Sequence, residues 1–338
     1  MLNNELEQLK RQIIAEIKAA ENIILVGHQK PDGDAVGSCL ALAHYLSNLN
    51  KKYTCFSTDV IHPSLQFIPM VEIFQSDQDF WQAPKFDLLI VLDSGDLRYA
   101  GIAHHLARFT HDYKIINIDH HTTNEMFGHY NLVMDNVSST CEIVHDLLLM
   151  DNAITQDIAT CLLTGIVTDT NGFSNLATTA TAIEKAGKLL LHGANLKQIT
   201  HSTILNQSVN NLKLWGRALE RLYQDPETGI VITAITHEDL LDCEVGIEAC
   251  EGVANFLSTL EEVNNNIVLV LSERDKDTVK VSLRTTSPLL DVAKFAKIMG
   301  GGGHKKAAGF SLKGLLIKTN YGWKIIKPNT DTHSNRKN

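Results

Sequence analysis

Between residues 21 and 135 short, almost wholly apolar runs alternate with helix-like stretches, and that rhythm leaves few folds open. The runs are ENIILVG (21–27), YTCFST (53–58), FDLLIVLD (86–93), YKIINID (113–119) and YNLVMD (130–135), with AVGSCLALAHYLSNL (35–49) as a helical pattern after the first. A strand with one wet face alternates polar and apolar residues. Near-continuous apolar strands are buried on both faces, as in a parallel sheet covered by crossover helices. The expected fold class is α/β, with a doubly wound, mainly parallel five-stranded sheet whose ligands sit at the carboxyl ends of the strands.

From 138 the pattern turns helical, through SSTCEIVHDLLLM, TQDIATCLLTGIVTDT and TATAIEKAGKLLLHG, the last stopped by Gly193. A second apolar alternation follows in GIVITAIT, NIVLVLSER and TVKVSLRT, then the helix PLLDVAKFAKIM and the glycine run Gly300–Gly303. The length of 338 residues suits two cores. The expected division is a catalytic domain over 1–193, a linker over 194–212, a smaller α/β domain over 213–327 and a disordered polar tail over 328–338.

Composition narrows the function. With 44% hydrophobic and 20% charged residues and no apolar run of membrane length, the chain reads as a soluble globular protein with no membrane partner. Leu6, Leu9, Ile13 and Ile17 fall at helical spacing with charges between them, unlike a signal peptide, so a cytoplasmic location is expected. The six cysteines lack CxxC pairing and are expected to be buried thiols. A formal net charge of −9 disfavours long duplex nucleic acid, although two bound divalent ions would add about four positive charges locally.

The acids and histidines fall where such a sheet binds ligands. The first strand runs into GHQKPDGDAVGS, another into VLDSGD and another into NIDHH, so His28, Asp32, Asp34, Asp93, Asp119, His120 and His121 converge on one rim. Carboxylates crowded together repel one another unless a cation neutralises them, so the pattern predicts metal. Asp169 lies at the end of an apolar helix in GIVTDTNGF. Carboxylate and imidazole donors without thiolate suit Mn²⁺ best, with Mg²⁺, Co²⁺ or Fe²⁺ as alternatives. Two ions roughly 3.5–4 Å apart could share a carboxylate and a bridging hydroxide and clamp both oxygens of a phosphoryl displacement.

The glycine run offers a second kind of site. Gly301, Gly302 and Gly303 permit close backbone approach, and His304, Lys305 and Lys306 follow them, while Arg284 ends a strand shortly before. Together they read as a phosphate pocket. No GxGxxG follows the first strand and no GxxxxGK[ST] occurs, against dinucleotide-cofactor and P-loop readings.

With these motifs the chain resembles the DHH phosphoesterase superfamily, named for the triplet seen here as Asp119-His120-His121. The likeness runs over residues 20–315 through His28-x-x-x-Asp32-x-Asp34, Asp93, the triplet with Asn124 after it, and Asp169-Thr170. The second domain resembles the DHH-associated C-terminal domain through VSLRTT and GGGGHKKAAG. The resemblance implies one metal on His28, Asp32 and Asp93 and another on Asp34, Asp93, His120 and Asp169, with Asp93 bridging. It implies that His121 faces the substrate phosphate, that Asp119 orients the histidines, that Asn124 makes a polar contact near the phosphate, and that Arg284, Gly301 to Gly303 and His304 bind substrate. It places the active site in the cleft between the domains, so that their closure completes it.

Within the superfamily, the length leaves no room for an oligonucleotide-binding barrel, the early start leaves none for sensor segments, and the glycine–histidine motif departs from the pyrophosphatases. The resemblance that remains is to the nanoRNase and pAp-phosphatase group. It implies hydrolysis of oligonucleotides of about two to five units to mononucleotides, and of adenosine 3′,5′-bisphosphate to AMP. The alternative is a stand-alone phosphodiesterase of linear or cyclic di-adenylate; from another class, an inactive nucleotide-binding regulator. Partners are short oligonucleotides or small nucleotides, and a homodimer is allowed.

Overall fold

In the computed structural model residues 2–82, 85–175, 177–205, 208–250, 252–260, 263, 266–275, 277–319 and 322–326 are described. The chain divides into two compact units, Met1–Asn206 and Gln207–Asn338. Unit 1 runs α1 (Leu2–Ala19), β1 (Asn22–Val26), α2 (Gly33–Asn48), β2 (Lys52–Phe56), β3 (Phe74–Gln75), β4 (Leu88–Leu92), α3 (Ala103–Leu106), β5 (Lys114–Asp119), β6 (Tyr130–Val133), α4 (Thr140–Leu149), α5 (Gln156–Asp169), α6 (Ala180–Leu191) and α7 (Leu196–Thr203).

The strand order is β3-β2-β1-β4-β5-β6 and every pair is parallel. The sheet has six strands where five were expected. The extra one, β3, is two residues long and carries no periodic signal. The chain builds outward from β1 to β3, then returns to lay β4 on the other side of β1. The order therefore reverses between β1 and β4, the place where open α/β sheets hold ligands.

Two helices fix the rim above that reversal. α2 is apolar on all sides and almost entirely buried, as an all-round hydrophobic helix must be. It lies against α5 along a seam of glycines. A Cβ on Gly33 would strike the Thr168 side chain, one on Gly37 the carbonyl oxygen of Cys161, and one on Gly165 the Asp34 carboxylate and Cys141 Sγ. Only glycine admits so close an approach, and the approach brings the start of α2 to the end of α5.

Within the 194–212 stretch, expected as a linker, Leu196–Thr203 form α7, anchored in the first core by the fully buried Ile199. The polar residues flanking Ile199 hid that burial in the sequence. Unit 2 runs α8 (Val209–Glu220), β7 (Tyr223–Gln224), β8 (Val231–Ile235), α9 (His237–Asp242), α10 (Val253–Leu257), β9 (Ile267–Asp275), β10 (Thr278–Thr285), α11 (Val292–Ile298), β11 (Gly302–His304), β12 (Ala307–Lys313), β13 (Leu315–Thr319) and β14 (Gly322–Ile326). Its main sheet has the order β11-β12-β10-β9-β8-β7; β8 and β9 are parallel and the other pairs antiparallel.

Five of the six cysteines, Cys39, Cys55, Cys141, Cys161 and Cys243, are buried free thiols, and Cys250 is half-buried. Among the described residues no helix is long and apolar enough to cross a membrane. The tail expected over 328–338 lies outside the described residues.

Candidate metal centre

Of the eight acids and histidines singled out from unit 1, six follow β1, β4 or β5, Asp119 ends β5 and Asp169 ends α5. After β1, the His28 ring is buried, with Nε2 at 3.6 Å from Asp32 Oδ1 and 3.5 Å from Asp93 Oδ2. His28 Nδ1 donates to the Gln29 carbonyl oxygen (2.7 Å), a bond that turns Nε2 toward the carboxylates. Tyr99 stacks on the ring, with centroids 5.1 Å apart. Asp32 caps α2, accepting from the Asp34 and Ala35 amides at 3.0 and 3.1 Å, and so prefaces the helix that carries Asp34 inward.

Asp34 is fully buried, and its carboxylate straddles the first turn of α4. The Thr140 amide donates to Oδ2 (2.6 Å) and the Cys141 amide to Oδ1 (2.8 Å). Helix N-termini favour anions. Even so, burial, followed by Asp93 and Asp32, pushes the Asp34 carboxyl well above the usual range. Asp169, at the unfavourable C-terminal end of α5, is pushed the same way by burial and then by Asp34, Asp32 and Asp93.

Asp93 stands just past β4 with a left-handed backbone (φ 56°), an uncommon conformation for a side chain that must point into a site. Its amide donates to Ile118 O (3.0 Å), and Thr140 Oγ1 donates to its Oδ1 (3.1 Å). Thr140 is the residue the sequence did not reveal. SSTCE reads as a helix cap, and nothing local says that the hydroxyl and amides of the first turn hold two acids, Asp34 and Asp93, that lie 106 and 47 residues before Thr140.

After β5, His120 Nε2 lies 3.3 Å from Asp169 Oδ2, 3.5 Å from Asp93 Oδ1 and 4.0 Å from Asp34 Oδ2. Burial lowers its pKa. Asp119 turns the other way. Its Oδ1 accepts from the His120 amide (2.8 Å) and His121 Nδ1 (2.7 Å), and its Oδ2 from Asn124 Nδ2 (2.6 Å). Burial works against protonation of His121, but Asp119 and then Asp93 outweigh it and raise its pKa to about 9.

Asn124, expected as a substrate contact, is engaged by the protein on both amide atoms. Nδ2 also lies within bonding distance of Ser94 O and Asn117 Oδ1, and Oδ1 accepts from Asn117 Nδ2 and the Met126 amide, each at 2.8 Å. Its place is behind Asp119.

The side chains gather into three overlapping sets: His28, Asp32 and Asp93; Asp34, His120 and Asp169; and Asp93, His120 and His121. Asp93 belongs to two of them. Among the described residues no lysine or arginine pairs with Asp32, Asp34, Asp93, Asp119 or Asp169. Oxygen and imidazole donors, with Asp34 and Asp169 pushed above the usual carboxyl range and no lysine or arginine paired with the acids among the described residues, fit a site for divalent metal.

In unit 2, the residues expected to form a phosphate pocket fall as follows. The Gly300 and Gly301 amides close the end of α11 through Lys297 O (3.1 Å) and Ala296 O (2.8 Å), and Gly302–His304 is then the edge strand β11, paired with β12. The His304 side chain lies outside what is described. Arg284 Nε donates to Asn255 Oδ1 (2.6 Å), and among the described residues the guanidinium meets no carboxylate. Lys306 turns inward, to the Ser287 and Leu290 carbonyl oxygens, and leaves the expected anion pocket. A cavity of about 820 Å³ in this unit, walled by Arg221, Tyr223 and Trp323 with Glu220, Asp225 and Glu227, contains none of the residues foreseen as functional.

The model of the DHH family N-terminal domain matches residues 22–166, and the DHHA1 domain model matches 244–320. The bifunctional oligoribonuclease and PAP phosphatase NrnA of Thermus thermophilus is 33% identical over 92% of this chain and 91% of its own. The chain belongs to the DHH family of phosphoesterases. The cyclic-di-AMP phosphodiesterase GdpP of Geobacillus thermodenitrificans is 28% identical over 91% of this chain, which spans 46% of that protein. The crystal structure of an exopolyphosphatase-related protein from Bacteroides fragilis shares the fold with a TM-score of 0.83 at 24% identity, over 90% of this chain and 91% of that one.

Proposed function

We propose that this phosphoesterase hydrolyses short oligonucleotides to nucleoside monophosphates and adenosine 3′,5′-bisphosphate to AMP, with two divalent ions, Mn²⁺ foremost. The observation that carries the reading is the set of uncompensated carboxylates around Asp93, in a chain similar along nearly its whole length to an oligoribonuclease and PAP phosphatase. His28, Asp32 and Asp93 would hold one ion, and Asp34, Asp93, His120 and Asp169 the other. The pair supplies a nucleophilic water at neutral pH and neutralises charge on the phosphoryl oxygens.

The chain's own groups do the positioning. With His121 Nδ1 engaged by Asp119, the contact to a phosphate oxygen falls to Nε2. Asp119 and Asn124 hold that ring at its angle. Thr140 and the α4 amides keep Asp34 and Asp93 at fixed separation. In unit 2, Arg284, Gly301 and the β11 residues Gly302, Gly303 and His304 would bind an anionic part of the substrate.

The second reading, hydrolysis of linear or cyclic di-adenylate, is favoured by the likeness to a cyclic-di-AMP phosphodiesterase. The test is the purified protein with Mn²⁺ against oligonucleotides of about two to five units, adenosine 3′,5′-bisphosphate and both di-adenylates, with products separated by chromatography. Mononucleotides from the first two are expected. Turnover confined to di-adenylates would install the second reading, and no turnover of any would favour a regulator without catalysis.

A further inference from the structure

Beside the metal centre, unit 1 has a recess of about 430 Å³ lined by Gln29, Thr58, Gln78, Arg98, Gly101 and His104, a volume within the range of small-molecule sites. It is built onto the centre. Gln29 follows His28 directly, its amide donates to Tyr99 O (2.9 Å), and the Tyr99 ring stacks on the His28 imidazole. The turn that carries Tyr99 also carries Arg98 and Gly101. Gly101 has a φ of 75°, and a Cβ there would strike Thr58 Oγ1 and come within 3.0 Å of Gln29 Nε2. The wall is thus closed at a position that takes no side chain.

The lining argues for a neutral, hydrogen-bonding ligand. Its one permanent cation is neutralised: Arg98 bonds Glu125 Oε1 at 2.8 Å and lies 3.7 Å from Asp96 Oδ1. A phosphate would find no uncompensated charge. Gln78 Oε1 is bound to His105 Nε2 (2.8 Å), which leaves the Gln78 amide nitrogen as a donor. Gln29 makes only a long contact through Nε2, 3.5 Å from Arg98 O, and its Oε1 has no partner among the described residues. One donor and one acceptor, on separate elements beside the same recess, match the edge of a nucleobase, since glutamine recognises adenine through its N6 donor and N7 acceptor. Arg98 adds a planar guanidinium on which a base can stack.

We propose that this recess is the nucleobase pocket of the nucleotide whose phosphate lies at the metal centre, with adenine the base it fits. The proposal rests on the phosphoesterase reading above and names which part of the substrate gives selectivity.

The experiment measures binding of AMP and of ribose 5-phosphate to the Mn²⁺-loaded full chain by calorimetry, for the parent, Gln29→Ala and Gln78→Ala. AMP should bind the parent at least about tenfold tighter than ribose 5-phosphate. Each variant should lose roughly three- to tenfold of that advantage, the size of one or two hydrogen bonds, with ribose 5-phosphate affinity and metal content unchanged. Gln78 lies far from the metal ligands in sequence, so its variant reports on the recess even if Gln29→Ala disturbs His28. Equal affinities for AMP and ribose 5-phosphate, or an AMP advantage intact in both variants, would overturn the pocket. Turnover of dinucleotides by the parent is scored separately: its absence with both ions bound rejects the proposed function, while the binding comparison still decides the pocket.

Discussion

Two buried carboxylate sites, one in each unit, show opposite treatments of negative charge. In unit 2, Asp239 is 2% exposed and fully provided for by the chain. Its oxygens accept from the Thr236 amide and hydroxyl (both 2.8 Å), from Arg221 Nη2 (2.7 Å) and from Arg217 Nη1 (3.1 Å). Burial alone would raise its pKa; Arg221, Thr236 and Arg217 bring it down to about 2. In unit 1, Asp34, Asp93 and Asp169 receive amides, a hydroxyl and imidazoles but no arginine or lysine among the described residues, and Asp34 and Asp169 are pushed up. The first site is complete as folded. The second is a cation site in which the chain supplies everything except the cation.

The comparison breaks most sharply at Asp93. Asp93→Ala should lower kcat by at least about 10²–10³, the effect of removing a key electrostatic element. Near-normal turnover with two ions still bound, by metal analysis alongside kinetics, would mean that Asp93 does not join the two sets. Next comes metal itself. At a hundredfold excess over its dissociation constant Mn²⁺ should stabilise unit 1 by about 2.7 kcal/mol and leave unit 2 unchanged, read from thermal unfolding with and without chelator. An equal response in both units would erase the contrast.

Asp239→Asn should destabilise unit 2 by roughly 2 kcal/mol, since its pKa falls from about 3.9 unfolded to about 2 folded. The sign follows from that depression. The contribution is present above the unfolded pKa and disappears as pH falls from about 4 toward 2, so the parent and variant unfolding curves should converge there. A constant gap across that window would assign the effect to packing. The smallest expected effect is Thr140→Val, which removes the hydroxyl on Asp93 at about 0.5–1.5 kcal/mol. It should weaken Mn²⁺ affinity up to about tenfold by titration, with the unfolding temperature of the metal-free protein shifted little.

The side chains that gather around Asp93 were legible because parallel strands announce themselves as continuous apolar runs, and residues just past their ends have a known address. His28, Asp93 and the 119–121 triplet follow from that alone. What escaped was held by tertiary structure. The Thr140 hydroxyl and the α4 amides meet Asp34 and Asp93 only in the folded unit, and locally they are an ordinary cap. Asn124 looked like a polar group awaiting substrate, but Asn117 and Asp119 claim it across the turn after β5. The glycine run gave no strand signal because glycine hides strand propensity, and its pairing with Ala307, Ala308 and Gly309 is set by the hairpin beyond. β3 and α7 left too few residues, or too mixed a face, for a periodic signal.

The glycine seam between α2 and α5 has a consequence for anyone wishing to graft this centre onto another scaffold. Gly33 and Gly37 on one helix and Gly165 on the other set how near Asp32 and Asp34 come to Asp169, yet none of the three would bind an ion. Copying the acids and histidines onto a host whose corresponding helices meet through alanine or larger residues would splay the donors, because the host backbones could not approach so closely. The portable unit is the helix pair with its bare contact line, carried together with the strand ends it faces; the donor set alone is not enough to transplant.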